Sequence, residues 1–136
     1  MLTIDSIFDE ESGLDAADPL GMLVISDGQS ELRIDNTFLD SWLIALIDAL
    51  HSLHALKQFL IEVPEEQKSI GLKVFDDGKI EMSYGGKTIV AGERSEFDRA
   101  LRLATRKFLV GVDSVAAELR NTDIAAIRRF AATTQN

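Results

Sequence analysis

Over Ile70–Val74 and Ile80–Tyr84 the apolar side chains fall on every second position, and two turn signals punctuate the segment up to Ala91. Ile70, Leu72 and Val74 alternate with Gly71, Lys73 and Phe75, while Ile80, Met82 and Tyr84 alternate with Lys79, Glu81 and Ser83. Asp76-Asp77-Gly78 separates the two runs, and Gly85-Gly86 leads into a return over Lys87–Ala91. Successive side chains of a strand point to opposite faces, so this period marks strands with one buried face. Glycine at the connections supplies the positive φ that tight hairpin turns need. The segment is therefore read as a three-stranded antiparallel meander, which is incompatible with helix over 70–91.

The rest of the chain is read around that meander. Leu2–Phe8 alternates loosely as a first strand and runs into an acidic, turn-forming loop over residues 9–19 that ends in Asp18-Pro19. Leu20–Ser26 is apolar on both faces, as expected of a strand covered on two sides. Asp27-Gly28-Gln29 then signals a hairpin back through Glu31–Asp35, with Leu32 and Ile34 inward. A long helix is expected over 37–60, capped by Thr37 with Asp40 and ended by Pro64. Its apolar face carries Phe38, Leu39, Trp42, Leu43, Leu46, Ala49, Leu50, Leu53, Leu56 and Leu60, and its polar face Asp40, Asp48, His51, Ser52 and Gln58. Ile44 falls within that polar face. A second long helix is expected over 95–118, capped by Ser95 with Asp98, with Phe97, Leu101, Ala104, Phe108, Val112, Val115 and Leu119 inward. Gly111 weakens its middle by about 1 kcal/mol relative to alanine if exposed. Ile124, Ile127 and Phe130 mark a short third helix, and the tail 131–136 is expected to fray. The sum is one α+β domain over 1–136, a predominantly antiparallel sheet on two long helices with a short C-terminal helix. A strands-then-helix layout occurs in it twice.

Composition narrows function mostly by exclusion. The chain is 46% hydrophobic and 27% charged, within the globular range, and has no cysteine and two histidines. Thiol chemistry, disulfides and cysteine zinc sites are thereby excluded. A net charge of −9 opposes nucleic-acid binding, which takes Lys and Arg. Acids at Asp5, Asp9, Glu10 and Glu11 interrupt any signal-peptide core, and the longest strongly apolar stretch, Trp42–Ile47, is too short to span a membrane. A cytoplasmic protein is the expectation.

Several motifs resemble catalytic or binding signatures without meeting them. Gly85-Gly86-Lys87-Thr88 looks like the end of a phosphate-binding loop, but Glu81 stands where the first glycine belongs and a strand follows it, not a helix. His51 and His54, with Asp48, share one side of a helix, yet no third fixed ligand accompanies them, so no metal is assigned. Ser114 lies in a helical pattern and lacks the strand-to-helix elbow of a hydrolase serine. The acids of the 9–19 loop cannot be laid onto a calcium-loop spacing. Neither catalytic residues nor a cofactor are expected.

Charge segregation is the positive signal. Residues 1–93 hold 18 acids and 6 bases, a net −12, whereas residues 94–136 hold 8 bases and 5 acids, a net +3. Among the first 48 residues 11 acids face Arg33 as the only base. Such a field speeds encounter with a basic surface and repels nucleic acid. Asp9, Glu10, Glu11, Asp15 and Asp18 are accordingly the candidate partner-binding residues, with Trp42 and Ile44 as candidates for an exposed apolar contact. Arg99, Arg102 and Arg106 form a basic stripe, read as pairing with neighbours such as Glu96 and Asp98.

In size, acidity, lack of cysteine and strand–helix layout, the whole chain resembles bacterial immunity proteins. That resemblance implies a non-enzymatic domain that neutralises a toxin, often a basic nuclease, by covering its surface. It rests on no motif, so no functional residue is carried over. The alternative is a structural protein whose helices build a homo-oligomer, a homodimer in the simplest case.

Overall fold

The computed structural model describes residues 1–9, 19–53, 57–64, 66–113 and 122–133. Strands β1 (Thr3–Phe8), β2 (Leu20–Ser26) and β3 (Glu31–Phe38) form one antiparallel sheet in that order. Helix α1 (Leu39–Ser52) leads to a second antiparallel sheet, β4 (Gln58–Ile61), β5 (Ile70–Val74), β6 (Ile80–Tyr84) and β7 (Lys87–Gly92). Helices α2 (Arg94–Asp113) and α3 (Thr122–Ala132) complete the α+β fold. β3 and β7, the last strand of each sheet, lie side by side. α1 packs against β2 and β4, α2 against β1 and β7, and α3 against both other helices.

Alternation decides which face is buried. Leu2 just before β1, with Ile4, Leu23, Ile25, Leu32 and Ile34 from the first sheet, joins Ile70, Leu72, Ile80, Met82 and Ile89 from the second. The helices answer with Trp42, Leu43, Leu46, Phe97, Leu101, Phe108, Ile124 and Ile127, and all belong to one apolar cluster. In β2 the side chains of Leu23 and Ile25 are buried. Met22 and Val24 on the opposite face are only partly buried, beside exposed Asp5, Ile7 and Arg33, so no described element covers that side of the strand as fully as the other.

The twofold layout extends to backbone detail. In β3 the register shifts so that Asp35 and Asn36 oppose Met22 alone, and Asn36 takes a positive φ of 49°. In β7 the register shifts beside Ile80, where Gly92 takes φ 78°. Both bulges lie shortly before a helix: the ladder resumes at Thr37 and Phe38 before α1 starts at Leu39, and α2 starts at Arg94 just after Gly92. A bulge bends its strand and sharpens the twist, and Asn and Gly tolerate the left-handed region best. Each half therefore turns from hairpin into covering helix by the same device.

Four expectations about the helices are corrected. The first ends at Ser52 and does not continue to 60, because Gln58–Ile61 pairs with Lys73–Ile70 as an edge strand. Its apolar run fits either period, and the ladder to β5 decides; Leu60, expected in the core, is 60% exposed, and Ile61 is buried instead. Phe38, not Thr37, holds the N-cap position of α1 and makes no side-chain cap; the Leu39 N–H donates to Pro19 O at 2.9 Å. Asp40, expected on the polar face, is only 5% exposed. Ser95 lies inside α2, whose first turn is closed by Glu93 O accepting from the Glu96 and Phe97 N–H groups. The positions Leu56, His54, Ser114, Val115 and Leu119 lie outside the described residues.

Gly111 reverses sign once the fold is known. A Cβ there would stand 2.3 Å from the Phe8 ring, which stacks on Phe108 with centroids 5.6 Å apart. Alanine would gain about 1 kcal/mol of helix propensity but force the ring out of its stack, an overpacking cost of about 1–3 kcal/mol. Gly111→Ala is expected to lower the denaturant midpoint, and adding Phe8→Ala should make the alanine favourable. A midpoint raised by Gly111→Ala alone would show that the ring yields freely.

The β2–β3 turn ties the sheets together. Asp27 Oδ1 accepts from the Gln29 and Ser30 N–H groups at 2.8 Å each, Oδ2 accepts from Val90 N–H in β7 at 3.3 Å, and the N-terminal ammonium donates to Asp27 O at 3.2 Å. The Ser30 and then the Gln29 N–H hold the Asp27 carboxyl below the usual carboxylate range, against a small opposing effect of burial. A carboxyl lowered in the folded chain contributes stability that is full above its unfolded value of about 3.9 and is lost as pH falls through the folded value. Melting curves at pH 7 and pH 3 should therefore differ less for Asp27→Asn than for the parent. Equal acid losses would mean that the carboxylate does not distinguish folded from unfolded chain.

Candidate functional site

The open face of the first sheet collects the acids. Cross-strand pairing lines up Asp5, Val24 and Arg33 in one row and Thr3, Ser26 and Glu31 in the next, with Ile7 opposite Met22. Ile7 is 49% exposed and Met22 and Val24 are partly buried beside it, giving an apolar centre. Among the described residues of this sheet and its turns, Asp5, Asp9, Asp27, Glu31 and Asp35 face Arg33 alone, whose Nε donates to Asp35 Oδ1 at 3.1 Å. An apolar centre with a charged rim is the usual anatomy of a protein-binding patch. Period-2 alternation could have pointed to Ile7, Met22 and Val24, but the apolar look of β2 on both faces hid which side was open.

The acidic loop joins this sheet. Asp9 N–H donates to Leu20 O at 3.0 Å, so the loop leaves and re-enters across one hydrogen bond at the end of the β1–β2 pair. Glu10, Glu11, Asp15 and Asp18 lie outside the described residues.

Trp42 is not an exposed contact. The Trp42 ring is wholly buried, and its Nε1 donates to Thr37 Oγ1 at 2.8 Å. Thr37 in turn donates to Glu66 Oε1, and Tyr84 stands edge-on to Trp42 with centroids 6.4 Å apart. Ile44 is half-buried against the core. α1 lies between strands on one side and two helices on the other, and keeps a partly open face at Ser41, Ile44, Ala45, Asp48 and Ser52. Burial, and then the negative charges of Glu66 and Asp35, push the Tyr84 hydroxyl up from its ordinary value. It stays protonated at neutral pH and is a donor rather than a base or nucleophile.

The arginine stripe divides. Arg102 is half-buried: its Nε donates to Asp98 Oδ1 at 2.6 Å, and its Nη1 to Phe130 O at 2.7 Å and Thr133 O at 2.6 Å, while the guanidinium lies 4.3 Å from the Phe130 ring centre. It thus satisfies carbonyls at the end of α3, the groups a helix C-terminus leaves unpaired. The start of the expected frayed tail is accordingly held in place. Arg128 and Asp113 pair bidentately between α3 and α2, which lowers the Asp113 carboxyl. Arg99 and Arg106 remain exposed, together with Lys107 and the apolar Leu103 and Val110.

The motif resemblances resolve as turns and surface. Gly85 and Gly86 have φ of 59° and 84° in the tight β6–β7 turn. His51 is exposed, its ring edge-on to Phe130, and among the described residues no three His, Asp or Glu side chains could hold a metal ion. No described helix is long and apolar enough to cross a membrane. No family model matches the chain, and neither a curated protein nor a solved structure matches it.

Proposed function

We propose that this chain is a non-enzymatic protein-binding domain that captures a partner with a basic surface, in the manner of an immunity protein neutralising a toxin domain. The observation that carries the reading is the face of the first sheet that no described element covers, where Ile7, Met22 and Val24 are rimmed by Asp5, Glu31 and Asp35 and joined in sequence to the acidic 9–19 loop. Such a field steers encounter, and the apolar centre then sets the dissociation rate.

The test is co-expression with the product of a neighbouring toxin-like reading frame, followed by binding kinetics at two salt concentrations. Protection of the cells is expected, with an on-rate that falls as salt rises, because exposed charges are screened beyond about 8 Å at physiological ionic strength. Neutralising Asp5, Glu31 and Asp35 with the five loop acids should slow association, and Ile7→Ser should speed dissociation. A salt-insensitive on-rate unchanged by these substitutions would remove the acidic face from the mechanism.

A second reading, self-association, is favoured by Leu103 and by Val110, 72% exposed, on a helix face that also bears Arg99, Arg106 and Lys107. That face complements the acidic sheet of another copy. Sedimentation at rising protein concentration separates the two readings, since a partner-binding monomer keeps one mass.

A further inference from the structure

β4 is an edge strand of four residues. Val74 N–H donates to Lys57 O at 2.7 Å, and Phe59 and Ile61 stand opposite Leu72 and Ile70. In an antiparallel ladder hydrogen-bonded and non-bonded pairs alternate, so residues 57, 59 and 61 bond to β5. The N–H and C=O of Gln58 and Leu60 then point away from the sheet. Among the described residues no backbone group meets them. Native proteins commonly cover or blunt such an edge. Here Leu60, an apolar residue, is largely exposed beside it.

A groove runs along this edge. One wall is Phe59, Leu60, Ile61 and Glu62, and the other is the α1 side formed by Ala45, Asp48, Ala49 and Ser52. Consecutive strand residues point to opposite faces, so a cavity lined by three in succession follows the strand's edge and not one of its faces. Alanines at 45 and 49 keep the helix wall low. Among the described residues its charged lining is Asp48 and Glu62, both exposed, with no lysine or arginine.

We propose that the β4–α1 groove takes an extended basic segment of a partner protein, added to the second sheet as a fifth strand. Main-chain hydrogen bonds to Gln58 and Leu60 hold the segment, a small or apolar side chain seats against Ala45 and Ala49, and Lys or Arg side chains meet Asp48 and Glu62. This is strand addition to an exposed edge, with backbone bonds giving affinity and alternate side chains giving specificity. The site is separate from the open face of the first sheet and does not depend on that face's role.

The probe is a capped hexapeptide of alternating lysine and valine, titrated into the full chain while backbone amide signals are followed. Shifts and slowed hydrogen exchange are expected at Gln58 and Leu60. A Glu–Val peptide and a backbone N-methylated Lys–Val peptide should bind at least about tenfold more weakly, the scale of one lost hydrogen bond or charge contact. Leu60→Pro removes an outward N–H without removing a ladder bond, the position an edge strand tolerates for proline, and should weaken binding similarly. Ala45→Arg, which fills the groove and leaves the strand alone, should do the same if the proline variant misfolds. Asp48→Asn with Glu62→Gln should abolish the preference for lysine over glutamate. No binding at millimolar peptide, shifts confined to residues 3–8, 20–26 and 31–38, or Ala45→Arg binding like the parent would overturn the proposal. Concentration-dependent dimerisation through Gln58–Ile61 in the absence of peptide would also overturn it, making a second copy the occupant.

Discussion

Trp42→Ala is expected to lower the unfolding free energy by about 3–5 kcal/mol, the range for emptying a large buried aromatic site. The ring is wholly enclosed by the core, in edge contact with Tyr84. Its Nε1–H is also the donor to Thr37 Oγ1, which passes a hydrogen bond on to Glu66. Trp42→Phe separates the two contributions: most of the volume stays and the donor goes, for an expected loss of about 1–3 kcal/mol from truncation and an unmet buried oxygen. Urea unfolding followed by circular dichroism checks both variants, since the only tryptophan is removed in each. A Trp42→Ala protein with the parent's midpoint would return the residue to the surface and with it the idea of an exposed contact.

The other large effect is at Gly21. A Cβ there would lie 2.2 Å from the Ile7 carbonyl oxygen and 3.0 Å from Leu39 Cδ1. Gly21 is paired with Phe8 on one side and Thr37 on the other, next to the bulge in β3, so the collision is with a backbone held in the ladder. Gly21→Ala is expected to cost about 3 kcal/mol, the upper part of the overpacking range, because no side-chain rotation relieves it. Adding Leu39→Ala should not recover the loss. Here Gly21 differs from Gly111, where the obstacle is a ring that truncation of Phe8 takes away. Recovery in the Leu39→Ala background would place the strain on the side chain and leave the strand pairing unstrained.

Every element whose period is unambiguous can be read from the chain alone. Alternation at 70–74, 80–84 and 31–34 and the spacing of Phe97, Leu101, Ala104, Phe108 and Val112 each admit one secondary structure and one buried face, and those residues lie where the pattern puts them. Glycine turns at 78 and 85–86 were equally legible, since positive φ there has a local cause. Charge segregation was legible too, but only as a one-dimensional fact. The tertiary structure alone decided the rest, wherever a short segment fits two periods or a residue answers to a distant partner. Gln58–Ile61 became a strand because β5 offered a ladder, and that created the open edge beside α1. Thr37 bonds to Trp42 and Glu66 rather than capping a helix, Arg102 reaches the carbonyls of Phe130 and Thr133, and Gly111 is required by Phe8, more than a hundred positions away. Which side of β2 stayed uncovered depended on where both long helices packed. Local propensity fixes what each segment can be; burial against distant segments fixes which surface remains to meet a partner.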